Sequence, residues 1–250
     1  MKMIILAAGQ GTRLSPLTDD KPKCMVPFND KPIINYIIDT AEKCGIENIN
    51  IVHGYKKDIL ESHLKDKKIN FFYNDLFDKT NMVASLFYAE DAMDDDVIIS
   101  YSDIVYKEVV LRELMEAEGK VNVVVDKKWH DLWSIRMENP LDDAETLKIE
   151  NGCIKELGKK PSSLNDIEGQ YIGLIKFTKE VIAEIKTFYK ELDKSEIYDG
   201  KDYSNMYMTS FIQMIIDKLY AVKPTFIEGG WLEVDCLKDL EAYQEKGLII

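Results

Sequence analysis

No apolar run in the 250-residue sequence approaches the roughly twenty residues that a membrane span needs. None of the four cysteines, Cys24, Cys44, Cys153 and Cys236, has a partner at the close spacing of a zinc site or redox pair. They read as reduced thiols, mostly buried. Positive charge is also scarce, with 32 Lys and Arg against 45 Asp and Glu and a net charge of -13. Binding a nucleic acid by phosphate neutralisation needs clustered cations, so no nucleic-acid partner is expected. Any phosphate held here is held locally, by a few placed groups, and most of the carboxylates read as solvated surface. Repeats, low-complexity tracts and linker-like stretches are missing too, which favours one domain over residues 1–250. The N-terminal apolar run is short and leads straight into glycines. It reads as a buried first strand and not a signal peptide, with a cytoplasmic location and no membrane insertion expected.

What is present is the composition of a soluble globular protein, 46% hydrophobic and 31% charged. Short β-rich apolar runs alternate with amphipathic stretches through the first hundred residues. "MIILA", "INIVH", "INFFYN" and "DVIISYS" predict strands, with helices over Pro32 to Cys44, "KKDILESHLKD" and "MVASLFYAEDAM". Four βα units predict an α/β fold, a Rossmann-like, mixed and mostly parallel sheet flanked by helices. Beyond "KVNVVVD" the pattern changes: Asn151-Gly152 sits between alternating runs, the chemistry of a two-residue hairpin. A small antiparallel lobe inserted at about residues 127–172 is expected. "YIGLIKF" then predicts a strand, "KEVIAEIKTFYKEL" and "YMTSFIQMIIDKLY" helices, and "FIEGGWLEVD" a late strand or hairpin before a last helix.

"LAAGQGTRLSPLT" follows the first strand. It is not the dinucleotide fingerprint, because Leu14 stands where the third glycine belongs and Pro16 stops a helix from continuing. It is not a P-loop either, since no G-x-x-x-x-G-K spacing surrounds Gly9 and Gly11. What remains is a strand-exit loop in which Gly9 and Gly11 let backbone N–H groups approach an anion. Arg13 can act as a planar fork on phosphate, and Lys23, brought back by Pro22, as a point charge. The competing reading is a tight turn with solvated charges.

The stretch "LAAGQGTRLSPLTDDKPKCMVPFNDKPII" closely resembles the N-terminal motif L-A-A-G-x-G-[ST]-R-L-x-P-L-T-x-x-x-P-K of the nucleotidyltransferases that make NDP-sugars and CDP-activated small molecules. The resemblance implies that the nucleotide is a substrate to be cleaved. It places Leu6, Ala7, Ala8, Gly9, Gly11, Thr12, Arg13 and Lys23 around the triphosphate, with Arg13 and Lys23 in catalytic roles. Nucleotidyl transfer also demands a hard cation, and magnesium takes carboxylate, phosphate and water oxygens. Asp103 ends the strand "VIISYSD" and Asp235 lies in "GGWLEVDC". The resemblance pairs these two as Mg2+ ligands and leaves Glu233 outside the set.

"YNDLFDKTNMVASL" looks like the N-x-x-[YF]-x-x-x-N-x-x-S-L region of the small cytidylyltransferases that activate phosphocholine, phosphonates and L-glutamine phosphate. This favours CTP, with Asn81 and Ser85 able to read a cytosine edge. The plain alternative is a helix N-cap at Asn81 with Ser85 on the helix surface. "ELGKKP" stands in the place of an E-K-P motif whose lysine meets the acceptor phosphate, which points to Lys160; Lys159 replaces the usual glutamate and argues against a sugar. Trp129, Trp133 and Arg136 form an aromatic and cationic cluster in what reads as a surface loop. It suits an acceptor's ammonium and its carboxylate or phosphate, unless the tryptophans are core. His130 between them is assigned no role. Further likeness runs from "ISYSDIVY" to "NMYMTSF", toward the cytidylyltransferases of bacterial capsule modification. It implies L-glutamine phosphate as acceptor, CDP-L-glutamine as product and pyrophosphate release, ahead of phosphocholine, 2-aminoethylphosphonate or a sugar 1-phosphate. A nucleotide-sensing module without turnover is the non-enzyme alternative, and a homodimer is compatible with either reading.

Overall fold

The computed structural model describes residues 1–248. Along the chain run β1 (Lys2–Ala7), α1 (Ile33–Lys43), β2 (Asn48–His53), α2 (Lys57–His63), β3 (Ile69–Tyr73), α3 (Met82–Tyr88), β4 (Val97–Tyr101), β5 (Ile104–Tyr106), α4 (Glu108–Glu116) and β6 (Val121–Asp126). Then follow α5 (Trp129–Arg136), β7 (Leu147–Glu150), β8 (Cys153–Leu157), β9 (Gln170–Phe177), α6 (Lys179–Glu191), α7 (Met208–Lys218), β10 (Val222–Ile227), β11 (Trp231–Glu233) and α8 (Leu237–Lys246). Among the described residues no helix is long and apolar enough to cross a membrane.

Nine strands form one sheet in the order β3-β2-β1-β4-β9-β6-β10-β8-β7. Only β9 and β8 run against the others, so the sheet is mixed and mostly parallel. The strands are apolar on both sides because each face is covered. In β1, Met3, Ile5 and Ala7 enter one core while Ile4 and Leu6 enter the other, the period-two alternation of a pleated strand. Helix α1 buries Ile33, Ile34, Ile37, Ile38 and Ala41 in the first core, beside α4, α5 and α8. Val83 and Leu86 of α3, Ile182 and Ile185 of α6, and Phe211 and Ile215 of α7 fill the second. Truncating one such isoleucine to alanine costs about 2–5 kcal/mol.

After β1 the chain lays β2 and β3 to one side, then crosses back to set β4 on the other. That reversal opens a crevice at the carboxyl ends of β1 and β4, where open α/β sheets bind ligands. Asn151 and Gly152 take the positive φ values of a primed turn, 52° and 76°, so the predicted hairpin forms as β7-β8. It does not stand apart, because Ile154 pairs with Val222 of β10 and joins the main sheet. "FIEGGWLEVD" divides between sheets: β10 ends in the large one and β11 pairs with β5 in a separate two-stranded ladder. Helix α4 was not foreseen. Residues 129–136 form α5 where a surface loop was expected, packed by Trp129, Leu132 and Trp133 into the first core.

Candidate active site

The loop after β1 is shaped before any ligand enters. The Ala8 carbonyl accepts from the Tyr55 N–H at 3.1 Å, and buried Thr18 donates to the Gly11 carbonyl at 3.0 Å. Gly11 has a φ of 69°, and a Cβ there would sit 2.7 Å from Cβ of Lys23. Glycine is therefore required twice, for its backbone angle and for the lysine stem that crosses it. A Cβ at Gly9 would meet nothing within 4 Å, so its backbone borders open space. Residues Thr12–Leu14 make one tight turn that ends before Pro16.

Lys23 donates from Nζ to Oδ2 of Asp103 and to Oδ1 of Asp235, each at 2.7 Å. Arg13 pairs with the other oxygen of Asp235. Burial pulls the Lys23 ammonium toward neutrality, but the two carboxylates outweigh it and hold the charge above the usual lysine range. The carboxylates meet because Asp103 precedes β5 and Asp235 follows β11, and the Val234 N–H donates to the Asp103 carbonyl at 2.8 Å. Oδ1 of Asp103 is buried and has no hydrogen-bond partner among the described residues.

That orphaned oxygen, with Asp235 beside it, is the observation against which a magnesium site is tested. Hard oxygen donors fit the ion, and two carboxylates are the usual protein share of a site completed by phosphate and water. Among the described residues no group of three or more potential metal ligands exists, which suits such a partial site and not a closed protein cage.

Leu6, Gly9, Gly11, Thr12, Arg13, Lys23, Asn81, Asp103 and Asp235 line the crevice, and Tyr101 and Ser102 join them. A second cavity of about 320 Å³ abuts it, sharing Arg13, Met82 and Tyr101 and bounded by Trp133, Glu145, Gln170, Tyr171, Tyr207, Trp231 and Glu233. Gly173 lies in a bulge of β9 with a φ of 87°, where a Cβ would strike the Tyr101 ring at 2.5 Å. The Tyr101 and Tyr171 hydroxyls are driven well above the ordinary phenol range by burial. Asp126 at the end of β6 accepts from Trp231 Nε1 at 2.8 Å and from the Lys128 and Gly229 N–H groups, fixing the indole at the cavity wall.

Several expected residues lie elsewhere. Ala7 and Ala8 are buried in strand and turn, outside the crevice lining. Ser85 is buried on α3 and accepts from Asn74 at 3.0 Å, outside the crevice lining. Asn81 does border the crevice, yet its Oδ1 accepts from the Met82 N–H and its Nδ2 donates to the Asn205 carbonyl; the capping role is real. Trp129 is core. Arg136 is buried and donates to Asp239 and Glu233, since three partly hidden charges are stable there only together. Asp239 in turn accepts from the Asp235 and Cys236 N–H groups, so Arg136 braces the segment carrying Asp235 from behind. Lys160 is exposed and donates to the Leu141 and Asp142 carbonyls, clasping a loop and touching neither cavity. Of the proposed acceptor residues only Trp133 lines the second cavity.

The nucleotidyl transferase family model matches residues 2–241. The chain belongs to that family. It is 48% identical to the CTP:phosphoglutamine cytidylyltransferase of Campylobacter jejuni subsp. jejuni, over 98% of this chain and all of that one. A glucose-1-phosphate thymidylyltransferase structure from Bacillus anthracis superposes with a TM-score of 0.77 at 19% identity, covering 100% of this chain and 96% of the other. The CTP:phosphocholine cytidylyltransferase of Streptococcus pneumoniae does so with a TM-score of 0.74 at 21% identity, covering 99% of each chain. These two superpositions bear on the fold. As a nucleotidyl transferase, the chain needs room for a nucleotide and an acceptor side by side, and two abutting cavities meet that need.

Two carboxyls at the second cavity of this nucleotidyl transferase titrate high. Glu145 is pushed up to about 7 by burial, with Asp143 adding to the effect. Burial also raises Glu233, against the pull of Arg136. Gln170, Glu145 and Tyr171 carry no short motif. The sole clue to Glu233 is its place two residues before Asp235.

Proposed function

We propose that this nucleotidyl transferase is a cytidylyltransferase that moves CMP from CTP to phosphoglutamine and releases pyrophosphate. The observation that carries the transfer chemistry is Lys23, whose ammonium bridges Asp103 and Asp235 where the crevice lies against the second cavity. The choice of CTP and phosphoglutamine is supported by the full-length likeness to the Campylobacter enzyme.

In this reading the backbone from Gly9 to Thr12 and the Arg13 fork grip the triphosphate. An oxygen of the acceptor phosphate attacks the α-phosphorus, the bond to the β-phosphate breaks in line, and the electron pair leaves on pyrophosphate. The attacking phosphate is already anionic at neutral pH, so no general base is required. Lys23 meets the negative charge that grows on the α-phosphoryl oxygens, a contact stronger in the transition state than in the ground state. Asp103 and Asp235 would hold a magnesium ion, which when bound supplies further positive charge to the phosphates. CTP is a cytoplasmic substrate, and the reading carries a cytoplasmic location with it.

The test is pyrophosphate release with CTP, UTP, ATP and dTTP, each against phosphoglutamine, phosphocholine, 2-aminoethylphosphonate and glucose 1-phosphate. CTP with phosphoglutamine should be fastest. Absence of CTP-dependent release with every acceptor would overturn the proposal.

A further inference from the structure

Glu145 is the anomaly of the second cavity. Among the described residues its carboxylate has neither a hydrogen-bond donor nor an ion pair, and the half-buried side chain lines the cavity. Glu233, the other partly buried carboxyl of this wall, is already matched by Arg136. The backbone of Glu145, by contrast, is rigidly held. Buried Gln170 accepts from its N–H at 3.0 Å and donates to its carbonyl at 2.5 Å, using both ends of one carboxamide. A fixed main chain thus presents to the cavity a carboxylate that no described protein group matches, open to a cationic partner. A second group in the same wall is also incomplete: Trp133 is 4% exposed, and its Nε1 has no acceptor.

We infer that Glu145 is the specificity-determining residue of the acceptor cavity, taking the ammonium group of a zwitterionic phosphorylated acceptor. The inference rests on the cytidylyl-transfer reading above. Arg13, whose fork grips the triphosphate in that reading, also borders the second cavity and makes its end toward the crevice positive for an anionic phosphate, while Glu145 belongs to the second cavity alone. An acceptor carrying charges of both signs matches this arrangement. The Trp133 N–H is left for the acceptor's carboxylate or carbonyl oxygen. A sugar phosphate offers hydroxyls to Trp133 but nothing cationic to Glu145 or to the exposed Asp143 beside it, so the unpaired carboxylates of this wall separate amino acceptors from sugars.

The experiment compares wild type with Glu145→Gln and Glu145→Asp on phosphoglutamine and on its analogue lacking the α-ammonium group. A charge-assisted contact is worth about 30-fold in affinity. Glu145→Gln should therefore raise the KM for phosphoglutamine about 30-fold while leaving kcat, the KM for CTP and turnover of the analogue within about twofold. Glu145→Asp should recover part of the loss. Because the carboxylate supports no contact within the protein, the thermal midpoint of Glu145→Gln should equal or exceed that of wild type, confirming an intact fold. Equal losses on both acceptors, or no loss on either, would overturn the assignment. Wild-type turnover of glucose 1-phosphate without turnover of phosphoglutamine would instead overturn the functional reading, and the role of Glu145 with it.

Discussion

The two cavities are built on opposite principles. In the nucleotide crevice the ionic groups are paired within the protein, Lys23 against Asp103 and Asp235 and Arg13 against Asp235 again, with Oδ1 of Asp103 alone left open among the described residues. In the acceptor cavity the Glu145 carboxylate and the Trp133 N–H are unmatched. The crevice takes half its lining from the segment between Leu6 and Lys23, whereas the cavity draws on α5, the segment before β7, β9, β11 and α7. The difference teaches what each is for. A site that must stabilise charge created during reaction keeps its groups paired and oriented beforehand, so little reorganisation accompanies the chemistry. A site that must choose among small molecules leaves gaps which only the right molecule fills.

The contrast breaks most sharply at Lys23. Lys23→Ala should lower kcat about a thousandfold, with a much smaller change in the KM for CTP, because the contact acts on the barrier. Single-turnover measurements of pyrophosphate release check it, and an effect confined to the KM for CTP contradicts the role. Arg136→Ala comes next. It strands Glu233 and Asp239 inside the protein and should cost about 3–5 kcal/mol of stability in urea unfolding. Unchanged stability with a raised acceptor KM would return Arg136 to the binding site where its sequence suggested it belonged.

The third effect is smaller and concerns pH. Glu145 must be ionised to hold a cation, and burial has pushed its carboxyl up to about 7. Asp143, on its own segment, raises it further. The phenols of Tyr101 and Tyr171 stay neutral at this pH, and Arg13 and Glu233 border the same cavity. Lowering the pH from 8 to 6 protonates most of Glu145, so the acceptor KM should rise about tenfold across that window. The acceptor phosphate titrates nearby, and Glu145→Gln separates the two: the carboxyl's share of the slope should vanish in that variant. A slope identical in both proteins would show that the cavity's gap is not where amino acceptors are read.

Legibility in the sequence followed the same division. Arg13 and Lys23 stand in a contiguous loop motif, and the family resemblance paired Asp103 with Asp235; the structure brings all four to one crevice. The α/β grammar was equally plain, since β1 to β4 are short runs with helices between them. Arg136 misled because an arginine beside two tryptophans looks like a receptor for anions. Its partners, Glu233 and Asp239, lie 97 and 103 residues away. Helix α5 was hidden because "WHDLWSIR" has no clear polar face, and its tryptophans are held by tertiary packing. Ser85 faces inward to Asn74, an orientation that helical spacing alone leaves open. Glu145 was invisible because its significance lies in having no partner, a property that exists only after folding.

The backbone hydrogen bond from Val234 to Asp103 joins parts of the chain made at very different times. A ribosome releases Lys23 long before Asp235, which follows it by 212 residues. Without the pairing of β11 on β5, Asp103 and the loop after β1 lack Asp235 beside them. Lys23 can bridge two carboxylates only when β11 is docked on β5, so a two-stranded ladder outside the main sheet holds the crevice's charge network together.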